Sequence, residues 1–209
     1  VAANSSYMVD TTAPTVSSVA ITSATGASNS YLNEDDVVSV TVTMSEATVV
    51  DTTDGTPRIA LTIGEDTKYA TYASGTGTTG LVFTYTIESD LTDADGISIA
   101  ANALALNSGT LKDAAGNSAT LTHSAVAANT SYMVDTTDPT TPSLALYSDS
   151  GTDGDGKTND NTVSVTLSSD MDSWEYSLNS GTDWSDGSGT SFELADDTTY
   201  ASSAVQVRQ

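Results

Sequence analysis

The sequence predicts an all-β chain of two tandem β-sandwich domains, and three observations carry that prediction. Apolar and polar residues alternate with a period of two in run after run, as where Val38, Val40, Val42 and Met44 are interleaved with Ser39, Thr41 and Thr43. This is the pattern of a strand with one buried face. No stretch sustains a helical period, and clusters of Gly, Asn, Asp and Ser separate the runs. Finally, VAANSSYMVDTT at Val1 to Thr12 returns as VAANTSYMVDTT at Val126 to Thr137, an offset of 125, with Pro14 and Pro139 following. A fixed period of this kind marks a tandem array.

The repeated segment reads as a strand, Tyr-Met-Val, that ends at a polar Asp-Thr-Thr before a short stiff linker. It divides the chain into residues 1–10, the closing strand of a preceding repeat, residues 11–135, one whole repeat, and residues 136–209, a second and different repeat. Within 11–135, Val19 and Ile21 open a strand that the Gly26 to Ser30 stretch breaks. The Val38 to Met44 run follows. Ile59, Leu61 and Ile63 give the next strand, Lys68 to Ala73 a more polar one, and Leu81, Phe83, Tyr85 and Ile87 the clearest of all. Ile97, Ile99, Leu104 and Leu106 predict another, and a turn at Asp113 to Asn117 leads into the closing strand. Seven strands with turns between them is the immunoglobulin number.

The second domain repeats the plan with Leu144 and Leu146, Val163 to Leu167, Trp174 to Leu178, Phe192 and Leu194, and Val205 and Val207. A sixth strand is expected near Thr182 to Trp184, and the final strand of the sandwich is missing. The orphan first segment and this gap together raise head-to-tail donation of a strand between molecules.

Charge restricts the partners. The chain has 28 Asp and Glu against five Lys and Arg, a net charge of -23, so neither nucleic acid nor an anionic membrane surface fits as a partner. A cation does. No apolar run is long enough to insert into a bilayer, and the absence of Cys excludes disulfides and thiolate metal sites.

Alternating strand direction places the first, third and fifth loops of the 11–135 repeat at the pole facing the second domain. They carry Glu34, Asp35 and Asp36, then Glu65 and Asp66, then Asp90, Asp93 and Asp95, and the joint adds Asp135 and Asp138. Carboxylates gathered in this way repel one another unless a cation sits among them. Many oxygen ligands without His or Cys suit Ca²⁺ above Zn²⁺ or Mg²⁺. In the second domain the corresponding set is Asp149, Asp153, Asp155, Asn159 and Asp160 with Asp196 and Asp197. Asp149, Asp153, Gly154 and Asp160 fall at positions 1, 5, 6 and 12 of an EF-hand loop, but Gly151 stands at position 3 and no helices flank it, so this is an Asp/Gly-rich loop on a sandwich. Each Asp taken singly is equally an ordinary turn residue. At the opposite pole Asp113 and Asn117, with Asp10, Asp51 and Asp54, form a sparser set.

The stretches SVTVTMSEA from Ser39, ATYASGTGTTGLVFTYTI from Ala70, the Asp93 to Ala127 segment and the YMVDTTDPT joint resemble the tandem bacterial immunoglobulin-like repeats of giant cell-surface adhesins of the repeats-in-toxin and biofilm-associated types. The second domain, with DSGTDGDGKTNDNTVSV from Asp149 and WEYSLNSGTDW from Trp174, resembles another repeat type of the same proteins. The resemblance implies extender modules, exported by type I secretion, that fold outside the cell when calcium binds and hold a ligand-binding tip away from the outer membrane. It also implies that the partners are neighbouring repeats of the same chain. The family often has Gly-Asp where this chain has Glu34-Asp35-Asp36.

Other functions fit the sequence less well. Glycan, peptide or ice binding would use exposed aromatics or Thr-rich strands. Trp174 sits in an alternating run and reads as core, Trp184 near a turn is the better platform, and Thr is simply a good outward strand residue. Catalysis finds little support: abundant carboxylates are not a pair held at defined separation, and His123 is the only His. A Lys-Asn cross-link would need Lys68, Lys112 or Lys157 buried beside an amide and an acid.

Overall fold

The computed structural model describes residues 8–152, 154–169, 171–201 and 203–209. Residues 1–7 of the expected first strand, and the candidate ligand Asp153, lie outside them. The chain is all-β and divides into two compact units, Val1–Thr137 and Asp138–Gln209. Among the described residues no helix is long and apolar enough to cross a membrane.

The first unit contains β1 (Val16–Thr25), β2 (Tyr31–Leu32), β3 (Val37–Asp51), β4 (Arg58–Ile63), β5 (Asp66–Ser74), β6 (Thr78–Thr86), β7 (Thr92–Asp93), β8 (Leu104–Ala105), β9 (Thr110–Lys112) and β10 (Met133–Asp135). The large sheet runs β1-β3-β6-β5-β4-β8, with β9 on the far part of β3. A small second sheet runs β2-β10-β7. Leaving aside the two-residue β2, the β1-β3-β6-β5 order is the A-B-E-D order of an immunoglobulin sheet. Here β4 stays in that sheet by pairing with β5.

The alternating runs form the core as their period requires. Val38, Val40 and Val42 of β3, Ile59 and Leu61 of β4, and Leu81 and Phe83 of β6 are completely buried. Each such side chain contributes about 1.5–3 kcal/mol by leaving water. Polar neighbours such as Ser39, Thr41 and Thr84 lie on the other face, only half-buried.

Two features depart from the expected meander. The Ile97 to Leu106 stretch is not one strand: Thr62 bridges Ser98 and Ile99 bridges Val126 singly, and only Leu104–Ala105 joins the ladder. Gly96 (φ 92) and Asn102 (φ 58) take left-handed backbone that a strand cannot accommodate. Ile97 and Ile99 nevertheless fill the core. Strand direction also fails to alternate throughout, because β10 pairs β2 in parallel and β7 antiparallel.

The second unit holds β11 (Ser143–Leu146), β12 (Thr162–Thr166), β13 (Glu175–Ser177), β14 (Ser185–Asp186), β15 (Ser191–Glu193) and β16 (Gln206–Arg208). They form two three-stranded sheets, β11-β12-β15 and β14-β13-β16. Val163, Val165, Trp174 and Phe192 are its buried core, with Tyr176 stacked on Phe192 at 4.3 Å. Leu144, on the edge strand β11, is exposed.

Candidate metal centre

Glu34 to Asp36, Asp93 and Asp135 are brought to one end of the first unit by the small sheet. Leu32 pairs with Val134, Val134 with Asp93, and Asp135 with Thr92. Within that end three of the carboxylates accept hydrogen bonds from the backbone. Asp93, only 3% exposed, accepts from Gly64 N at 2.9 Å through one oxygen and from Gly96 N at 2.8 Å through the other, clamping two glycine turns together. Asp36 accepts from Asn33 N at 2.8 Å, and Asp135 from Thr137 N at 3.0 Å. Glu34, Asp35 and Asp95 are exposed.

In the second unit Asp138 is exposed. Asp149 accepts from Gly154 N at 2.7 Å through Oδ2, while its Oδ1 is buried without a hydrogen-bond partner among the described residues. Asp155 accepts from Lys157 N at 2.9 Å. Asp160 accepts from Thr162 N at 3.0 Å, and bonds from the Thr162 backbone and side chain hold its carboxyl below the ordinary value. Asn159 lines the same polar depression as the exposed Asp196 and Asp197, so the two loops do meet.

Among the described residues, three carboxylates come within 4.8 Å of one another at one place, formed by Asp10, Glu46 and Asp113. Asp10 and Asp113 belong to the sparser set at the opposite end of β3 from Glu34–Asp36. Asp51, expected beside them, instead accepts from Thr53 N and Thr53 Oγ1 at 2.9 and 2.6 Å.

Glu46 is the member that sequence reasoning missed, because a ladder irregularity positions it. Thr43 pairs with Gly80 and Thr48 with Thr78, so four residues of β3 stand against one of β6 and Met44 to Ala47 bow out of the ladder. Bulges re-aim side chains in this way. Thr15 fixes the bow, accepting from Ser45 N at 2.8 Å and donating its N–H to Ser45 Oγ at 3.0 Å. The segment entering β1 therefore lies along the bowed residues. The only sequence signal was the acid in Met44-Ser45-Glu46, where the alternation ends.

Asp113 is 5% exposed and builds the turn after β9. Its Oδ1 accepts from Ala115 N at 2.9 Å and Asn117 N at 2.8 Å, and its Oδ2 from Asn117 Nδ2 at 2.7 Å. Against the desolvation that burial imposes, the bonds from Asn117, Gly116 and Ala115 keep this carboxyl below its ordinary value and charged. Asn117 Nδ2 also donates to the carbonyls of Asp10 at 3.1 Å and Thr12 at 3.3 Å, tying the joint to the turn. Burial first, then the charges of Asp10 and Asp113, push the Glu46 carboxyl above its ordinary value.

Three anionic oxygens within 4.8 Å match ligand spacing around an ion that binds oxygen at about 2.3–2.6 Å. No nitrogen or sulfur ligand belongs to the group, which suits a hard cation. His123 is committed elsewhere: its Nε2 accepts from Ala103 N at 2.9 Å and Leu104 N at 3.3 Å, and its Nδ1 donates to Ser124 O at 2.8 Å. Trp184 lies half-buried with Arg208 over its ring at 4.1 Å, and its Nε1 donates to Gly181 O at 3.0 Å.

No family model, no curated protein and no solved structure matches this chain.

Proposed function

We propose that this chain is a spacer segment of a large bacterial surface adhesin, stiffened by calcium and acting outside the cell to hold a distal ligand-binding region away from its surface. The observation that carries this reading is the convergence of Asp10, from the repeated joint, with Glu46 and Asp113 of the unit that follows it. A cation there would tie the joint to the body of the unit and remove the hinge freedom of a short polar linker. It would also relieve the repulsion that raises the Glu46 carboxyl. The role is structural, not catalytic.

Calcium is favoured by the all-oxygen donor set and by the range of affinities that extracellular modules use, about 10⁻⁴–10⁻³ M. Binding to the folded form alone adds stability by mass action, about 1.4 kcal/mol at ten times the dissociation constant. A core drawn from Leu, Ile, Val and Phe at about 18% of the chain leaves room for such a contribution.

Thermal unfolding in millimolar Ca²⁺, in Mg²⁺ and in EDTA tests the reading. Calcium alone is expected to raise the midpoint of the first unit by on the order of 5 °C. Coincident curves in all three would defeat the stiffening mechanism.

A further inference from the structure

Met8 to Thr12 repeats Met133 to Thr137 residue for residue, and the apolar pair at the start of each stands in an opposite environment. Met133 is half-buried and Val134 fully buried, whereas Met8 is 94% and Val9 91% exposed. Every interaction that holds the second copy uses a group that the first copy also carries. Met133 pairs with Tyr31 and Val134 with Leu32 on one side, and Val134 pairs with Asp93 and Asp135 with Thr92 on the other. Met133 N donates to Ser30 O at 3.0 Å, and the Thr136 hydroxyl accepts from Leu91 N at 2.9 Å. Met8, Val9, Asp10 and Thr11 offer the same side chains in the same order.

We infer that Met8 to Thr11 is a β-strand whose partner is the slot between β2 and β7 of another unit of this same sequence, neighbouring in the same polypeptide. Two adjacent apolar side chains left almost wholly in water, on a backbone without ladder partners, are a template for pairing. The slot that fits them is already shown filled by their duplicate. In this arrangement Asp10 serves two units at once. Its main chain would close the sheet of one, as Asp135 closes this one, while its carboxylate stands with Glu46 and Asp113 of the next.

This inference rests on the spacer reading only in treating the unit as a recurring one, and it needs no metal. The test is therefore run in EDTA, so that failure of strand docking and failure of calcium binding are read separately. Residues 1–125 are placed ahead of Val1, which keeps the 125-residue offset, and Met oxidation by hydrogen peroxide is followed by mass spectrometry. In the 209-residue chain Met8 should oxidise as a free methionine does and Met133 more slowly. In the extended chain oxidation of the Met8 that follows the added 125 residues should slow at least about tenfold, to the rate of Met133, while the leading copy of Met8 stays as reactive as before. Unchanged oxidation of that following Met8 overturns the inference. Protection of Met8 in the 209-residue chain by concentration-dependent dimerisation also overturns it, in favour of exchange between molecules.

A second arm covers failure of the extended chain to fold. The 209-residue chain carrying Val134→Ser is titrated with the fluorescent peptide VAANSSYMVDTT. Saturable binding, lost when Met8 and Val9 of the peptide are both serine, supports the slot. Absence of binding counts against it.

Discussion

Asp10 and Asp135 hold the same position in the two copies of the repeated segment, and each carboxylate accepts from the backbone N–H two residues on, Thr12 at 2.9 Å and Thr137 at 3.0 Å. The turn is thus a property of the Asp-Thr-Thr sequence itself, since it forms whether the preceding Val is exposed or buried. What differs is the company of the carboxylate. That of Asp10 stands with those of Glu46 and Asp113. Asp10→Asn should therefore keep most of the turn, since the amide oxygen can still accept from Thr12, and lose most of the calcium-dependent rise in unfolding midpoint. Calorimetry in Ca²⁺ and in EDTA checks this: the EDTA curves of variant and parent should nearly coincide, and the calcium curves should not.

Glu46 and Asp113 have opposite pH signatures, and the sign follows from the direction of each shift. The Glu46 carboxyl is raised, so the folded state holds its proton more tightly than the unfolded one. Its ionisation then lowers stability as pH climbs from 4.5 through the raised value, and the loss persists above it. Asp113 is lowered, so its contribution is present above 3.8 and is lost as pH falls through its folded value. Glu46→Gln should accordingly raise the EDTA midpoint at pH 7, give no such gain at pH 4, and abolish much of the calcium response. A variant less stable than the parent in EDTA at pH 7 would show that Glu46 is stabilising as an anion, and the cluster would lose its case for a cation.

Much of this was legible in the sequence for a physical reason. Alternation reports burial on a pleated strand whatever the partner, so Val38 to Met44, Ile59 to Ile63 and Leu81 to Ile87 are core as read. Convergence of loops was legible too, as far as topology carries it: Leu32, Asp93 and Asp135 do lie on neighbouring strands. Side-chain aim was not. Asp93 reads as one more exposed loop acid, yet it is buried between two glycine turns whose left-handed backbone, at Gly64 (φ 57) and Gly96 (φ 92), presents the N–H groups it accepts from. Glu46 points where it does because four residues of β3 oppose one of β6, and no local pattern announces that mismatch.

His123 is a structural acceptor. Two backbone N–H groups, of Ala103 and Leu104, converge on its Nε2, and nothing else among their described hydrogen bonds would replace that atom. His123→Ala should destabilise the first unit by about 1–3 kcal/mol, because it takes the acceptor from the buried Leu104 N–H and the half-buried Ala103 N–H. Urea unfolding followed by tyrosine signals or backbone dichroism measures it. His123→Gln, which can return an acceptor oxygen, should recover part of the loss.

Gly187 allows the second unit its aromatic core. It donates its N–H to Trp174 O at 2.8 Å, and a Cβ built on it would lie 2.1 Å from Trp174 Cδ2 and 2.2 Å from Cε2. Two residues on, the Gly189 carbonyl accepts from the indole Nε1 at 3.1 Å, so the ring is held in plane against this strip of chain and cannot move aside cheaply. Gly187→Ala should cost about 1–3 kcal/mol through overpacking. Both tryptophans of the chain, Trp174 and Trp184, belong to the second unit, so fluorescence isolates its transition. The urea midpoint read at the tryptophans should fall while the calcium-dependent transition of the first unit stays where it was. An unchanged tryptophan transition would mean that the ring can slide out from under Gly187, and that the packing of Tyr176 and Phe192 alone holds the core.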